Sequence, residues 1–72
     1  MTADEIKHLI ETGLPDATVS VIGDDGAHFQ AEVVWAGFEG KNMIAQHREV
    51  YATLGARMGN EIHALQLRTR AS

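Results

Sequence analysis

The sequence contains no cysteine, a single proline (Pro15) and only four aromatic residues, Phe29, Trp35, Phe38 and Tyr51. Without thiols no disulfide can staple the fold, and any metal or catalytic site must be assembled from His, Asp, Glu or main-chain groups. A small cysteine-free domain suits a reducing compartment. No apolar run approaches the ~20 residues that a membrane-spanning helix needs. The opening stretch MTADEIKHLI carries acids where a secretory leader carries bases. No signal peptide is therefore expected, and the expected location is the cytoplasm. The phosphate-cradling G-x-x-x-x-G-K-[ST], the nucleophile elbow G-x-S-x-G and the zinc motif H-E-x-x-H are also missing. No enzyme is predicted.

What remains is a 72-residue chain, 44% apolar and 22% charged, which reads as one domain over residues 1–72. A chain this short buries only ~60% of the surface its unfolded form exposes, so it holds one small core and no deep cleft. The charge is divided unevenly. Eight acids and Lys7 leave residues 1–40 at −7, whereas five bases and two acids leave residues 41–72 at +3. Either the folded domain has an acidic and a basic side, or both signs are mixed on a solvated surface.

Thr2 and Glu5 have the spacing of a capping box, and Ile6, Leu9 and Ile10 follow at i, i+3, i+4. With stop signals at Gly13 and Pro15, this predicts a first helix from Ala3 to Thr12. ATVSVIG alternates, with Val19 and Val21 on one face, and HFQAEVVW alternates with Phe29, Ala31, Val33 and Trp35 on one face. The intervening DDG predicts a hairpin through a type I′ turn, because Asp-Gly tolerates the positive φ angles required. Asn42 is a candidate N-cap for a helix, or two short helices in tandem, over residues 43–58. Its stripe is Ile44, His47, Tyr51, Leu54 and Met58 with Val50 beside it, and Gly55 is a point of kinking or breakage. Gly59 and Asn60 end it, and EIHALQLRT reads as a third strand whose core face the pattern leaves open. The order α-β-β-α(α)-β contains a βαβ unit, so the third strand should run parallel to the second. The fold class is α+β: a three-stranded sheet covered on one face by helices.

Three short motifs occur in order along this frame: F-x-G-K at Phe38–Lys41, H-R-x-V-Y at His47–Tyr51 and I-H-A-L at Ile62–Leu65. Together, at this spacing, they resemble the BolA-like family, nearest its short bacterial members of the IbaG type, across nearly the whole chain. The resemblance implies a class II KH-like fold and a non-enzymatic adaptor. It implies pairing with a monothiol glutaredoxin through a shared [2Fe-2S] cluster, in iron–sulfur trafficking, iron regulation or a stress response. It also implies metal ligands at His63, from the final-strand motif, and His28, from the loop between the first two strands. Some members of the family carry a cysteine in that loop; this chain carries only His28.

The chemistry agrees with a shared site. Iron–sulfur clusters are held mainly by thiolates, and imidazole replaces them on one iron in Rieske centres. A site of two histidines and no thiol should hold no cluster alone, the remaining ligands coming from the glutaredoxin cysteine and its glutathione. Three other readings compete. In one, the chain is a KH-like DNA-binding transcription regulator using Lys41, Arg48, Arg57, Arg68 and Arg70 of the basic half. Against this, a pI near 5.4 gives no general affinity for polyanions. GFEG at Gly37–Gly40 spells the G-x-x-G of KH loops, but with Phe38 and Glu39 where bases would be useful, so an ordinary strand-to-helix turn is expected. In another, Asp24 and Asp25 join His28 at a mononuclear metal, although adjacent acids in a hairpin turn are ordinary turn chemistry. In the blandest, the chain docks a protein with no metal involved. Weak self-association into a homodimer is a further expectation. His47 is expected to be half-buried and satisfied by a main-chain carbonyl, and His8 exposed.

Overall fold

In the computed structural model, which describes residues 1–23 and 25–72, α1 (Ala3–Gly13) is followed by β1 (Thr18–Ile22), β2 (His28–Val34), α2 (Met43–Leu54) and β3 (Ala64–Arg70). Short 3₁₀ turns lie at Ala36–Phe38 and Gly55–Arg57. The sheet order is β1-β2-β3, with β1 antiparallel to β2 and β2 parallel to β3. This is the mixed sheet that the βαβ unit predicts.

The start of α1 forms as its sequence dictates. Thr2 Oγ1 accepts from the Glu5 N–H at 3.2 Å, and Glu5 Oε1 accepts from the Thr2 N–H at 3.0 Å. These bonds satisfy two of the donors that a helix N-terminus leaves open. Ile6 and Ile10 are fully buried and Leu9 partly so. They meet Val19 of β1, Phe29, Ala31 and Val33 of β2, Leu65 of β3, and Val50 and Leu54 of α2 in a single apolar cluster. Each fully buried aliphatic side chain contributes about 1.5–3 kcal/mol. The alternate positions, including Ser20, Ile22, His28, Gln30, Gln66 and Arg68, are exposed, so one face of the sheet is covered by helices and the other is open.

Of three expectations, two are corrected and one is met. First, the β1–β2 connection is not a two-residue type I′ turn. It spans residues 23–27, and only Gly26 (φ 75°) takes a positive φ there among the described residues, whereas type I′ needs Asp25 there as well. Asp25 instead accepts main-chain N–H groups with its side chain, a competing turn chemistry that Asp shares with Asn. Asp24 lies outside the described residues. Second, the break expected at Gly55 is present: α2 ends at Leu54 and a 3₁₀ turn follows, because Gly55 takes φ 57° and ψ −134°, a conformation closed to most L-residues. Third, the buried stripe of α2 is rotated from the one expected: Gln46, Val50 and Leu54 are buried, whereas Ile44 is 69% exposed and Tyr51 37%.

A polar keystone accounts for the rotation. The Thr69 hydroxyl donates to Gln46 Oε1 at 2.7 Å, and Gln46 Nε2 donates to the Lys41 carbonyl at 2.8 Å. The amide therefore joins the loop before α2, α2 itself and β3, and burial of a polar group is tolerated because both ends are paired. Gln46→Ala leaves a buried hydroxyl and a carbonyl without these partners and is expected to cost about 1–3 kcal/mol. Urea denaturation measures it; a loss within about 0.5 kcal/mol, the range of an ordinary surface change, would refute the keystone role.

Candidate functional site

The candidate site lies where β2 and β3 begin, at one end of the sheet. Because these strands are parallel, their first residues lie side by side, and His28 is in register with Ala64. The pairing extends beyond the ladder. The His63 N–H donates to the Ala27 carbonyl at 3.1 Å, and the Ala64 N–H reaches the same oxygen at 3.2 Å. His63 is thus tied by its backbone to the residue immediately before His28. The third strand begins at Ala64 rather than at Glu61, so His63 sits in a bend before the strand, and its side chain is exposed. By the pleat, position 28 belongs to the open face with Gln30, and position 63 precedes a strand in which Leu65 faces the core. The two histidines share the end of the sheet rather than one of its faces.

Asp25 organises the loop half of this end. Its Oδ1 accepts the N–H groups of Ala27 at 2.9 Å and His28 at 2.8 Å, and its Oδ2 lies 2.8 Å from His28 Nδ1. The His28 N–H, then the His28 ring, then the Ala27 N–H hold the Asp25 carboxyl well below its ordinary value of 3.8. A folded-state pKa depressed in this way means that the turn contributes stability above pH 3.8, and that this contribution is lost as pH falls through the lowered value. Carboxyl carbon NMR of the folded chain should place the Asp25 midpoint below 3.8; a midpoint at or above that value would show that these bonds do not persist in solution.

The His28 side chain is 68% exposed, and the shallow depression beside it is lined by Ile22, Gly23, Asp25, Ala64 and Gln66. Among the described residues, no three His, Cys, Asp or Glu side chains converge where they could hold a metal ion. Among the described residues this end of the sheet therefore offers two imidazoles, and a metal group held by them needs further ligands. Two exposed imidazoles without a thiol match the histidine share of a mixed His/Cys ligand set. Asp25 with His28 has the carboxylate–imidazole arrangement that orients metal-ligating histidines.

The other candidates are dispersed. Lys41 is bound to Glu49 at 2.7 Å and Arg70 to Glu32 at 3.4 Å, while Arg48, Arg57 and Arg68 are exposed. Lys41 and Arg57 flank opposite ends of the 12-residue α2, roughly 18 Å of helix. Arg57 borders Asp4 and Glu5 instead. The structure does not gather the five bases into one patch, and acids from both halves of the chain, Glu49, Glu32, Asp4 and Glu5, sit among them. In the G-x-x-G loop, Phe38 is 1% exposed and packs edge-on against Trp35, with ring centroids 5.2 Å apart. The loop is a strand-to-helix turn plugged into the core. Half-buried His47 keeps Nε2 buried with no hydrogen-bond partner among the described residues, so the expected carbonyl is not there; with Gln46 fixed to Thr69, the helix aims its amide, not the imidazole, at β3. His8 is exposed, as its position off the apolar stripe predicts.

Sequence reasoning missed Asp25 as a partner of His28. The signal is present in the sequence, since Asp three residues before a histidine in a Gly-rich turn is within reach of it, but the same residues also fit a hairpin turn.

The family profile described as "BolA-like protein" matches residues 7–72. Protein BOLA2 of Arabidopsis thaliana is 42% identical over 71 residues, covering 94% of this chain and 75% of that protein. A longer chloroplastic relative from the same plant, Protein BOLA1, is matched over only 28% of its length, at 41% identity across 44 residues. Among solved structures, a bolA protein homologue from Coxiella burnetii superposes with a TM-score of 0.85 at 47% identity, covering 96% of this chain and 88% of that one. The BolA domain of SufE1 from Arabidopsis thaliana superposes with a TM-score of 0.81 at 27% identity, covering 94% and 88%.

Proposed function

The chain belongs to the BolA-like protein family, and from that premise we propose that it is a non-enzymatic adaptor that pairs with a monothiol glutaredoxin through a shared [2Fe-2S] cluster. The observation that carries the reading is the backbone bond from His63 to Ala27, which brings His63 beside His28 at an exposed end of the sheet. On this reading His63 and His28 are the chain's contribution to the ligand set, and the glutaredoxin cysteine with glutathione supplies the thiolates. The bound cluster would supply the bond between the two proteins and a redox-active centre in iron–sulfur trafficking or iron regulation. The chain's own residues do three things. They present imidazole nitrogens, they hold those nitrogens at the start of two parallel strands that the core keeps rigid, and they leave the remaining coordination open to a partner. A cytoplasmic setting, in which thiols stay reduced, is part of the same proposal.

The experiment mixes the protein with cluster-loaded monothiol glutaredoxin and records visible absorption and circular dichroism. The expected result is a change in the cluster bands that saturates with added protein, with co-elution of the pair that depends on the cluster. Unchanged spectra, or co-elution indifferent to iron, would overturn the shared cluster and leave a docking module. DNA binding has no observation in its favour, given the dispersed bases and the plugged G-x-x-G turn.

A further inference from the structure

We infer that Asp25 is the positioning residue for His28, fixing the imidazole as the Nδ1–H tautomer so that Nε2 is left as the donor atom. The inference deepens the function proposed above and rests on it for its biological use. Its geometric basis stands on its own. Asp25 makes three contacts with two different jobs. Oδ1 accepts the N–H groups of Ala27 and His28, which fixes the carboxylate relative to the backbone, and Oδ2 faces His28 Nδ1 at 2.8 Å. An ionised carboxylate can only accept, so the hydrogen between Oδ2 and Nδ1 belongs to the ring. A neutral imidazole has one N–H and one lone pair, so the lone pair falls on Nε2. The same loop leaves the His28 side chain 68% exposed. An imidazole on a free surface would divide between tautomers and rotamers, and each binding event would have to select one. Here the selection is made in advance by a residue that never touches the metal group. Such outer partners are worth about 10–100-fold in metal affinity.

Asp25→Asn is the informative variant. Its side-chain oxygen can still accept the two backbone N–H groups, which keeps the turn, but the group facing Nδ1 becomes an NH₂ that only donates. Nδ1 must then accept, the ring proton moves to Nε2, and the donor atom is lost without loss of the histidine. Long-range ¹H–¹⁵N correlation spectra of the free protein, recorded about two pH units above the ordinary imidazole pKa, read the tautomer directly. The wild type should show Nδ1–H and Asp25→Asn should show Nε2–H, with unchanged Ala27 and His28 amide signals confirming that the turn is kept. In titrations with cluster-loaded glutaredoxin, Asp25→Asn should pair about 10–100-fold more weakly. An Nε2–H tautomer in the wild type overturns the assignment. So does a variant whose tautomer switches while its pairing matches wild type, if His28→Ala is impaired. A wild type that forms no cluster-dependent pair overturns the proposed function instead, and the tautomer of the free protein then still decides whether Asp25 orients the ring.

Discussion

His63→Ala is expected to abolish cluster-dependent pairing with glutaredoxin while leaving the fold intact. The two effects separate because the fold uses only the backbone of this residue, through the N–H that donates to Ala27, and alanine keeps that donor. The side chain is exposed and lies outside the strand ladder, so stability should stay within about 0.5 kcal/mol of wild type. Loss of a ligand should exceed the roughly 10–100-fold cost of disturbing a ligand's outer partner, so pairing should fall by about 100-fold or more. Visible circular dichroism during titration with the loaded partner measures the loss, and urea denaturation checks the fold. Wild-type spectra from the variant would remove His63 from the ligand set. A variant that unfolds would instead show that the bend before β3 needs the imidazole. His28→Ala is the companion measurement. It too should lose pairing, and it should also free the Asp25 Oδ2 that the ring now engages.

Phe38→Ala carries the largest expected cost in stability, about 3–5 kcal/mol. A chain of this length has a total of roughly 4–11 kcal/mol to lose, so the variant should be marginal or unfolded at ambient temperature. Phe38 is among the largest fully buried side chains, and it closes the end of the core opposite the candidate site, beneath the turn that leads into α2. Its ring meets Trp35 at 88°, and Trp35 is itself tied down by the bond from Nε1 to the Pro15 carbonyl at 2.8 Å. The packing there leaves no slack: a Cβ added at Gly37 would come within 2.5 Å of the Trp35 ring. The cavity left by Phe38→Ala therefore has little means to collapse. Exposed Glu39, in the same turn, is the control, and Glu39→Ala should change stability by no more than about 0.5 kcal/mol. A cost below about 1 kcal/mol for Phe38→Ala, measured by urea denaturation, would refute its role as a plug. The prediction also bears on function, since a turn whose second residue is sealed in the core is not free to clamp a phosphate backbone.

Where the sequence was read correctly, the signal was local. The capping box at Thr2 and Glu5, the cap at Asn42, whose side chain accepts from the Ala45 N–H at 2.9 Å, and the alternation through Phe29, Ala31 and Val33 depend on residues two to four positions apart. Where the reading failed, two local chemistries competed. Asp25-Gly26 fits a tight turn and also fits a side-chain-capped loop, and the second prevailed because His28 supplied a further partner for the carboxylate. Along α2, hydrophobicity favoured a stripe through Ile44 and Tyr51, yet a buried amide set the rotation, since Gln46 had a hydroxyl 23 residues away to satisfy it.

The amino-acid sequence by itself determined the elements, their order, the parallel return of the last strand and the exclusion of any thiol-based site, because these follow from short-range sterics, pattern and composition. Only the tertiary structure decided that the His63 backbone lies against Ala27, that Asp25 engages the His28 ring, and that the five bases are scattered among acids. Those outcomes rest on strand register and on hydrogen bonds between residues whose distance along the chain carries no information about their distance in space. Register in turn is set by the burial of Phe29 against Leu65 and Ala31 against Leu67, since a slip of one residue would turn those side chains to water.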